Sequence, residues 1–308
     1  MSQRVVLASE VPALEALGAA GALDFVDGGA RLATGARVER IEAVPGRTLL
    51  RVPLPGTPDA QGRRLELPRG AGTGWLRAHV YERGALSRFA SRWGAPPSSS
   101  PAARRWNLLC RLRAQGVGAP RPLALLEAGR GLGQVSVCVE AELAGFEPLP
   151  RWLARARGAA RGRGLRALGL ALAALDRSGV RLARARAERV LVQSDLEGDA
   201  DDDCAALAIA RLREERGLWR ERGLGRARLP AVAFDDLEGA RLQRAPTPSE
   251  RLAFAARLNE DLRRTGGVHL SQREGLHVLA AGGLARDLVC MGASPFRPGS
   301  RATPPGRA

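Results

Sequence analysis

Lysine is missing from this 308-residue chain, and all 48 basic residues are arginine. Asparagine occurs only at Asn107 and Asn259, and aromatic residues make up 4% of the sequence. The missing lysine excludes chemistry that needs an ammonium group. The shortage of aromatics argues against a nucleic-acid surface, because single-stranded nucleic acid is normally gripped by stacking rings. The net charge of +16 and a pI near 11.4 therefore read as compositional drift, in step with heavy use of Ala, Gly, Leu and Pro. The four cysteines, Cys110, Cys138, Cys204 and Cys290, are far apart with no CxxC pair, which points to neither a zinc site nor a disulfide framework. Most are expected to be small buried hydrophobes. No apolar run reaches the ~18 residues of a spanning helix. The N-terminus carries charge within its apolar stretch and has no signal-peptide layout. A cytoplasmic protein is the expectation.

What is present fits a globular chain, with 45% hydrophobic residues and enough length for one large domain or two packed lobes. Residues 1–45 read as a short helix around 11–20 followed by irregular structure. From Arg47 the pattern turns strand-like through RTLLRVPLP, RRLELP and WLRAHVYERG. Ser100 and Pro101 form an N-cap and first-turn pair for a helix running to about Ala114, with Ala102, Trp106, Leu109 and Leu112 as its apolar stripe. APRPLALLEAG and the β-branched QVSVCVEAEL follow. Leu165, Leu168, Leu172 and Leu175 then recur at helical spacing and stop near Gly179. Short strands are expected at 190–192 and 231–234, with a helix at 204–216 between them. Ser249 is expected to cap the last clear helix. The Pro-, Gly- and Arg-rich tail is expected to be disordered. Strands, one helix, more strands, then a mainly helical half make an α+β chain with a sheet-rich lobe followed by a helical one.

Several segments carry a resemblance. The stretch from Trp75 to Leu125, with WLRAHVYERGALSRF and SPAARRWNLLCRLRAQGVGAPRPLAL, resembles the N-lobe of the Kdo/WaaP lipopolysaccharide kinase family. VSVCVEAELAGFEPLPRWL resembles the strand and hinge beside the nucleotide, and LALAALDRSGV the helix before the catalytic loop. VAFDDLEGARLQR resembles that family's metal-binding stretch. The resemblance spans roughly residues 50–280 and implies a bilobal protein-kinase-like fold. On it, residues 1–45 are an extension, 46–145 an N-lobe, 146–288 a C-lobe with an insertion at 195–230, and 289–308 a tail. In intact members it also implies transfer of the ATP γ-phosphate to an inner-core sugar of lipopolysaccharide.

Kinase-type transfer needs a strand lysine paired with a helix carboxylate, an Asp that accepts the hydroxyl proton, and Asp or Asn ligands for magnesium. The resemblance puts Arg77 at the lysine position, as a phosphate contact or an exposed strand residue. It puts Arg105 where the helix Glu belongs, so that Arg77 and Arg105 are expected to repel. Arg184 falls at the catalytic Asp, Leu182 at the preceding His, and Arg189 close to the downstream metal ligand. A guanidinium stays protonated at physiological pH and cannot act as the base, and losing a base alone typically forfeits about 10²–10⁴ in rate. Asp236 aligns with the magnesium-binding Asp, with Glu238 two residues on and Asp235 just before. It is either a metal ligand or a turn residue.

Other features are discounted. RGAGTG (69–74) reads as a β-turn rather than a phosphate loop, and the acidic run 195–203 lacks calcium-loop spacing. Eleven arginines lie between Arg151 and Arg189, and Arg184 and Arg186 are candidates for an anion-attracting pocket. The alternative is a solvated arginine face. The expectation is a pseudokinase that serves as a binding or regulatory module for an anionic small molecule, an acidic protein or an anionic membrane surface. ATP and magnesium are weakly supported. An active lipopolysaccharide kinase and a basic nucleic-acid-binding protein are the competing readings.

Overall fold

The computed structural model describes residues 3–7, 39–53, 75–83, 100–130, 133–143, 145–194, 231–235 and 237–283. The expected helices at 11–20 and 204–216, the glycine turn at 69–74, the acidic run at 195–203, the insertion at 195–230 and the C-terminal tail lie outside these residues. So do Asp236, Cys204 and Cys290. The chain divides into two compact units, one formed by Met1–Ala114 with Ala119–Ala144, the other by Gln115–Gly118 with Gly145–Ala308.

The first unit is a six-stranded antiparallel sheet with one helix. Its strands are β1 (Gln3–Leu7), β2 (Glu39–Val44), β3 (Arg47–Pro53), β4 (Trp75–Arg83), β5 (Pro122–Arg130) and β6 (Gly133–Ala141), arranged β1-β5-β6-β4-β3-β2. Residues 39–44, expected as irregular chain, thus form a strand, and residues 3–7 form another. Strand β1 pairs with β5 across the chain, Val5 opposite Leu126, a long-range pairing that no local pattern announces. Side chains alternate across a strand, and the register sorts the sheet into two unlike faces. One is the apolar core, where Leu50, Leu76, Ala78, Val80, Val137 and Val139 are all buried. The other carries His79, Ser136, Cys138 and Glu140, brought side by side by the β4–β6 register, and this face receives helix α1 (Pro101–Ala114).

Helix α1 begins as its sequence dictates, with the Ala103 amide donating to Ser100 Oγ at 3.1 Å. Its buried stripe is Ala102, Arg105, Leu108, Leu109 and Leu112. Trp106 is only half-buried. The helix is therefore rotated from the expected stripe, so that an arginine faces the sheet. Cys110 is exposed and Cys138 buried, so the expectation of a buried cysteine holds at one of these two positions.

The second unit is mainly helical. Strand β7 (Phe146–Pro148) leads into α2 (Leu149–Arg155) and α3 (Gly158–Ser178), which ends at Gly179 with φ of 69°. Only glycine takes this left-handed turn at little cost. Next come β8 (Val180–Arg181), a 3-10 turn at Ala187–Arg189, β9 (Val190–Gln193), β10 (Val232–Phe234) and β11 (Arg241–Leu242). Strand β9 lies between β10 and β7, and β8 pairs with β11. Helices α4 (Pro248–Gly266) and α5 (Gln272–Ala281) complete the unit. The cap of α4 is Thr247 rather than Ser249. Thr247 and Glu250 form a reciprocal capping box with Pro248 in the first turn, which accounts for the start two residues earlier. A second box, Ser271 with Glu274, starts α5, a helix the sequence reading did not separate. Gly169 lets α3 and α5 cross closely, since a Cβ there would lie 2.2 Å from the Val278 carbonyl oxygen.

Candidate functional site

Among the described residues each unit carries a polar cluster, and these contain the described positions that the sequence singled out.

In the sheet unit the centre is Glu140, which is wholly buried. Arg105 donates to it through two parallel bonds, Nε to Oε2 and Nη2 to Oε1, both 2.9 Å. His79 Nε2 lies 3.0 Å from Oε1. Burial opposes ionisation of Glu140, but Arg105 and His79 outweigh it and hold the carboxyl well below its usual range. Burial likewise opposes the charge on Arg105, and Glu140 more than restores it. The ring of Tyr81 stacks near His79, their centroids 6.5 Å apart. Burial pushes the Tyr81 phenol up to about 12, against the pull of Arg105.

Arg77 lies one pleat further along β4. It pairs with Glu142 at 3.6 Å, and Glu142 also accepts from Arg51 Nη2 at 2.9 Å. The expected repulsion between Arg77 and Arg105 is therefore absent, because each guanidinium has its own carboxylate. Glu140 and Glu142 were missed in the sequence. The signal was the strict alternation of QVSVCVEAE, which puts Ser136, Cys138 and Glu140 on one face. The helix thus supplies a cation to a strand carboxylate, where the resemblance implied a helix carboxylate paired with a strand lysine.

In the helical unit the loop from Arg181 to Arg189 is the segment that the resemblance assigned to the catalytic loop. Both ends are tied. Strand β8 pairs with β11, Arg181 Nη2 donates to Glu250 at 2.6 Å, and the Ala187 amide donates to Asp261 Oδ2 at 2.7 Å. The Asp235 amide donates to the Arg189 carbonyl at 2.9 Å. Arg184 is exposed and Arg186 half-buried. No carboxylate among the described residues pairs with Arg184. Arg189 Nη1 contacts Asp235 Oδ2 at 3.2 Å, with Asp235 almost wholly buried. The carboxylate just before Asp236 is thus held by the arginine that stands near the expected metal-ligand position. Glu238 is exposed on the turn after Leu237, and Glu188 is exposed beside Ala187. Asp176 pairs with Arg251 at 3.1 Å. Burial raises its carboxyl above the ordinary value, against Arg251, Arg181 and Arg177.

Asp236, the candidate magnesium ligand, lies outside the described residues. Among the described residues no group of three or more His, Cys, Asp or Glu side chains could hold a metal ion. The described part of the loop carries guanidinium groups at Arg184, Arg186 and Arg189 and one carboxylate, Glu188. Arg77, at the position the resemblance gives to the lysine, is engaged with Glu142. No helix among the described residues is long and apolar enough to cross a membrane.

Comparison with known proteins agrees with the architecture. The family model described as lipopolysaccharide kinase (Kdo/WaaP) matches residues 58–227, more than half of the chain. No curated protein matches the sequence. Among solved structures, "WaaP in complex with acyl carrier protein" is similar, with a TM-score of 0.54 and 17% identity. That likeness covers 95% of this chain and 94% of the other. At this identity it shows a shared kinase-like fold of mixed helix and sheet.

Proposed function

Because this chain belongs to the lipopolysaccharide kinase (Kdo/WaaP) family, we infer that it is a pseudokinase, a kinase-fold protein that binds anionic ligands or partners without transferring phosphoryl groups. The observation that carries this reading is the loop of the helical unit. Arg184, which the resemblance aligns with the base, is exposed, and Arg189 is engaged with Asp235 at 3.2 Å. A protein kinase needs a carboxylate to take the proton and metal ligands to screen the phosphates. This loop supplies positive charge for both. What remains useful is the charge itself, since guanidinium groups on a tied loop suit phosphate or carboxylate ligands.

An acidic protein partner is a second form of the same reading. The solved relative is described in complex with acyl carrier protein, and Arg151, Arg157 and Arg166 are exposed on and between α2 and α3. A place in the cytoplasm, peripheral to the inner face of a membrane, suits either ligand class. The reading is tested by incubating the protein with γ-labelled ATP, magnesium and lipopolysaccharide acceptor. No label above the protein-free control is expected, and magnesium-dependent transfer would restore the active-kinase reading.

A further inference from the structure

We propose that the outer face of helix α3 is a membrane-docking surface whose occupant is an anionic phospholipid bilayer. This deepens the anion-binding reading above and rests on it, but it uses residues other than those of the Arg184 loop.

Within α3, Ala159, Arg166, Leu170 and Arg177 are exposed. They advance by seven, four and seven residues, steps that return to one line along an α-helix. Arg163, half-buried, flanks that line, while Leu165, Leu168 and Leu175 are buried on the core side. The line carries no carboxylate. Asp176, the one acidic residue of the helix, is engaged with Arg251 of α4 at 3.1 Å. Arg161 is committed within the unit, donating to the Leu153 carbonyl at 2.6 Å and pairing with Glu274. Close packing holds the helix from beneath, Gly164 against Trp152 and Gly169 against Val278. A face carried on a packed helix loses little ordering entropy on binding.

Two features select a bilayer over other anions. The first is reach. Arg166 and Arg177 stand about 16 Å apart along the helix axis, too far for one phosphate group to bridge, whereas headgroup phosphates cover a bilayer continuously. The second is Leu170, 38% exposed between them on a helix that has no aromatic residue. A protein interface concentrates its binding in a desolvated apolar centre with aromatic anchors. A single leucine flanked by arginines suits the interfacial zone instead. There the leucine enters the acyl boundary, and the arginines extend their stems along it to reach the phosphates.

The experiment is co-sedimentation of the full chain with phosphatidylcholine vesicles, with and without phosphatidylglycerol, at fixed ionic strength. Binding of free inorganic tripolyphosphate is measured in parallel. Sedimentation is expected only with phosphatidylglycerol present. Arg166→Ala is expected to weaken it about fivefold, the scale of one arginine at an anionic surface. Leu170→Ala is expected to weaken it about fivefold as well, through the apolar area no longer buried, and to leave tripolyphosphate binding unchanged. Arg264→Ala, which removes an exposed arginine of α4, is expected to stay within about twofold. Equal losses in Arg166→Ala and Arg264→Ala overturn the α3 face, because diffuse charge then accounts for binding. An unchanged Leu170→Ala overturns the bilayer as occupant and leaves an acidic protein as the partner of this face. Failure to bind anionic vesicles while tripolyphosphate still binds overturns this proposal alone. Failure with both overturns the anion reading beneath it as well.

Discussion

Arg105 of α1 and Glu140 of β6 form a buried fork of two 2.9 Å hydrogen bonds, and His79 closes on the same carboxylate from β4. This pair joins the helix to the centre of the sheet. Removing one partner of such a pair strands the other charge away from water, at a cost of about 3–5 kcal/mol. Glu140→Ala is therefore expected to lower stability by about that amount in urea unfolding. The double change of Arg105→Met with Glu140→Leu is expected to cost less than the single change, since no charge is left unpaired.

The same carboxylate sets an acid limit. Glu140 ionises more readily in the folded chain than its ordinary value of 4.5, so its stabilisation is complete above that pH and is lost as pH falls below it. Glu274, held at about 2 by Arg161 and Ser271 against partial burial, acts in the same direction. Stability measured by circular dichroism should decline below about pH 4.5. Glu140→Gln should flatten that decline, because the variant has no proton to take up there.

At the alkaline end the chain offers a single reporter. Tyr81 is its one tyrosine, and burial raises its phenol to about 12. The unfolded value is near 10. Between these limits the unfolded chain loses the proton first, so the contribution of Tyr81 to stability is lost as pH rises from about 10 toward 12. Phenolate absorbance of the folded protein should titrate near 12, and in urea near 10. A folded midpoint near 10 would contradict the buried placement.

Close approach of α3 and α5 depends on Gly169. An alanine Cβ there would meet the Val278 carbonyl oxygen at 2.2 Å and Ala281 Cβ at 2.8 Å. Backbone must move to relieve this, and overpacking of that kind costs about 1–3 kcal/mol. Gly169→Ala should lower the thermal midpoint. Gly162→Ala, with nothing within 4 Å of the added carbon, should not lower it.

Much of the fold was legible because its signals are local. Ser100 and Pro101 start α1, Gly179 stops α3, and short apolar runs mark β9 and β10. Strand β1 was not, since its pairing depends on a partner as distant as Leu126; β2 was missed although it closes a local hairpin with β3, Val44 opposite Arg47, because its sequence ERIEAV is mostly exposed and carries little apolar pattern. Helix α5 is short, and its start rests on the Ser271–Glu274 box rather than on a long apolar stripe. In the site, the arginines at 77, 105 and 184 were singled out by the resemblance. Their partners were not, because Glu140 and Glu142 reach their arginines through strand register. Arg189 meets Asp235 only because β9 and β10 pair, with Val190 opposite Phe234. Charge that looks unbalanced along the sequence is balanced across the sheet.

The most direct measurement is single-turnover transfer of the γ-phosphate from magnesium-ATP to lipopolysaccharide acceptor, comparing the natural chain with Arg184→Ala. The pseudokinase account predicts that neither exceeds the protein-free rate. Transfer by the natural chain that falls about 10²-fold or more in the variant, the scale of a lost catalytic group, would contradict it and make Arg184 part of a working site.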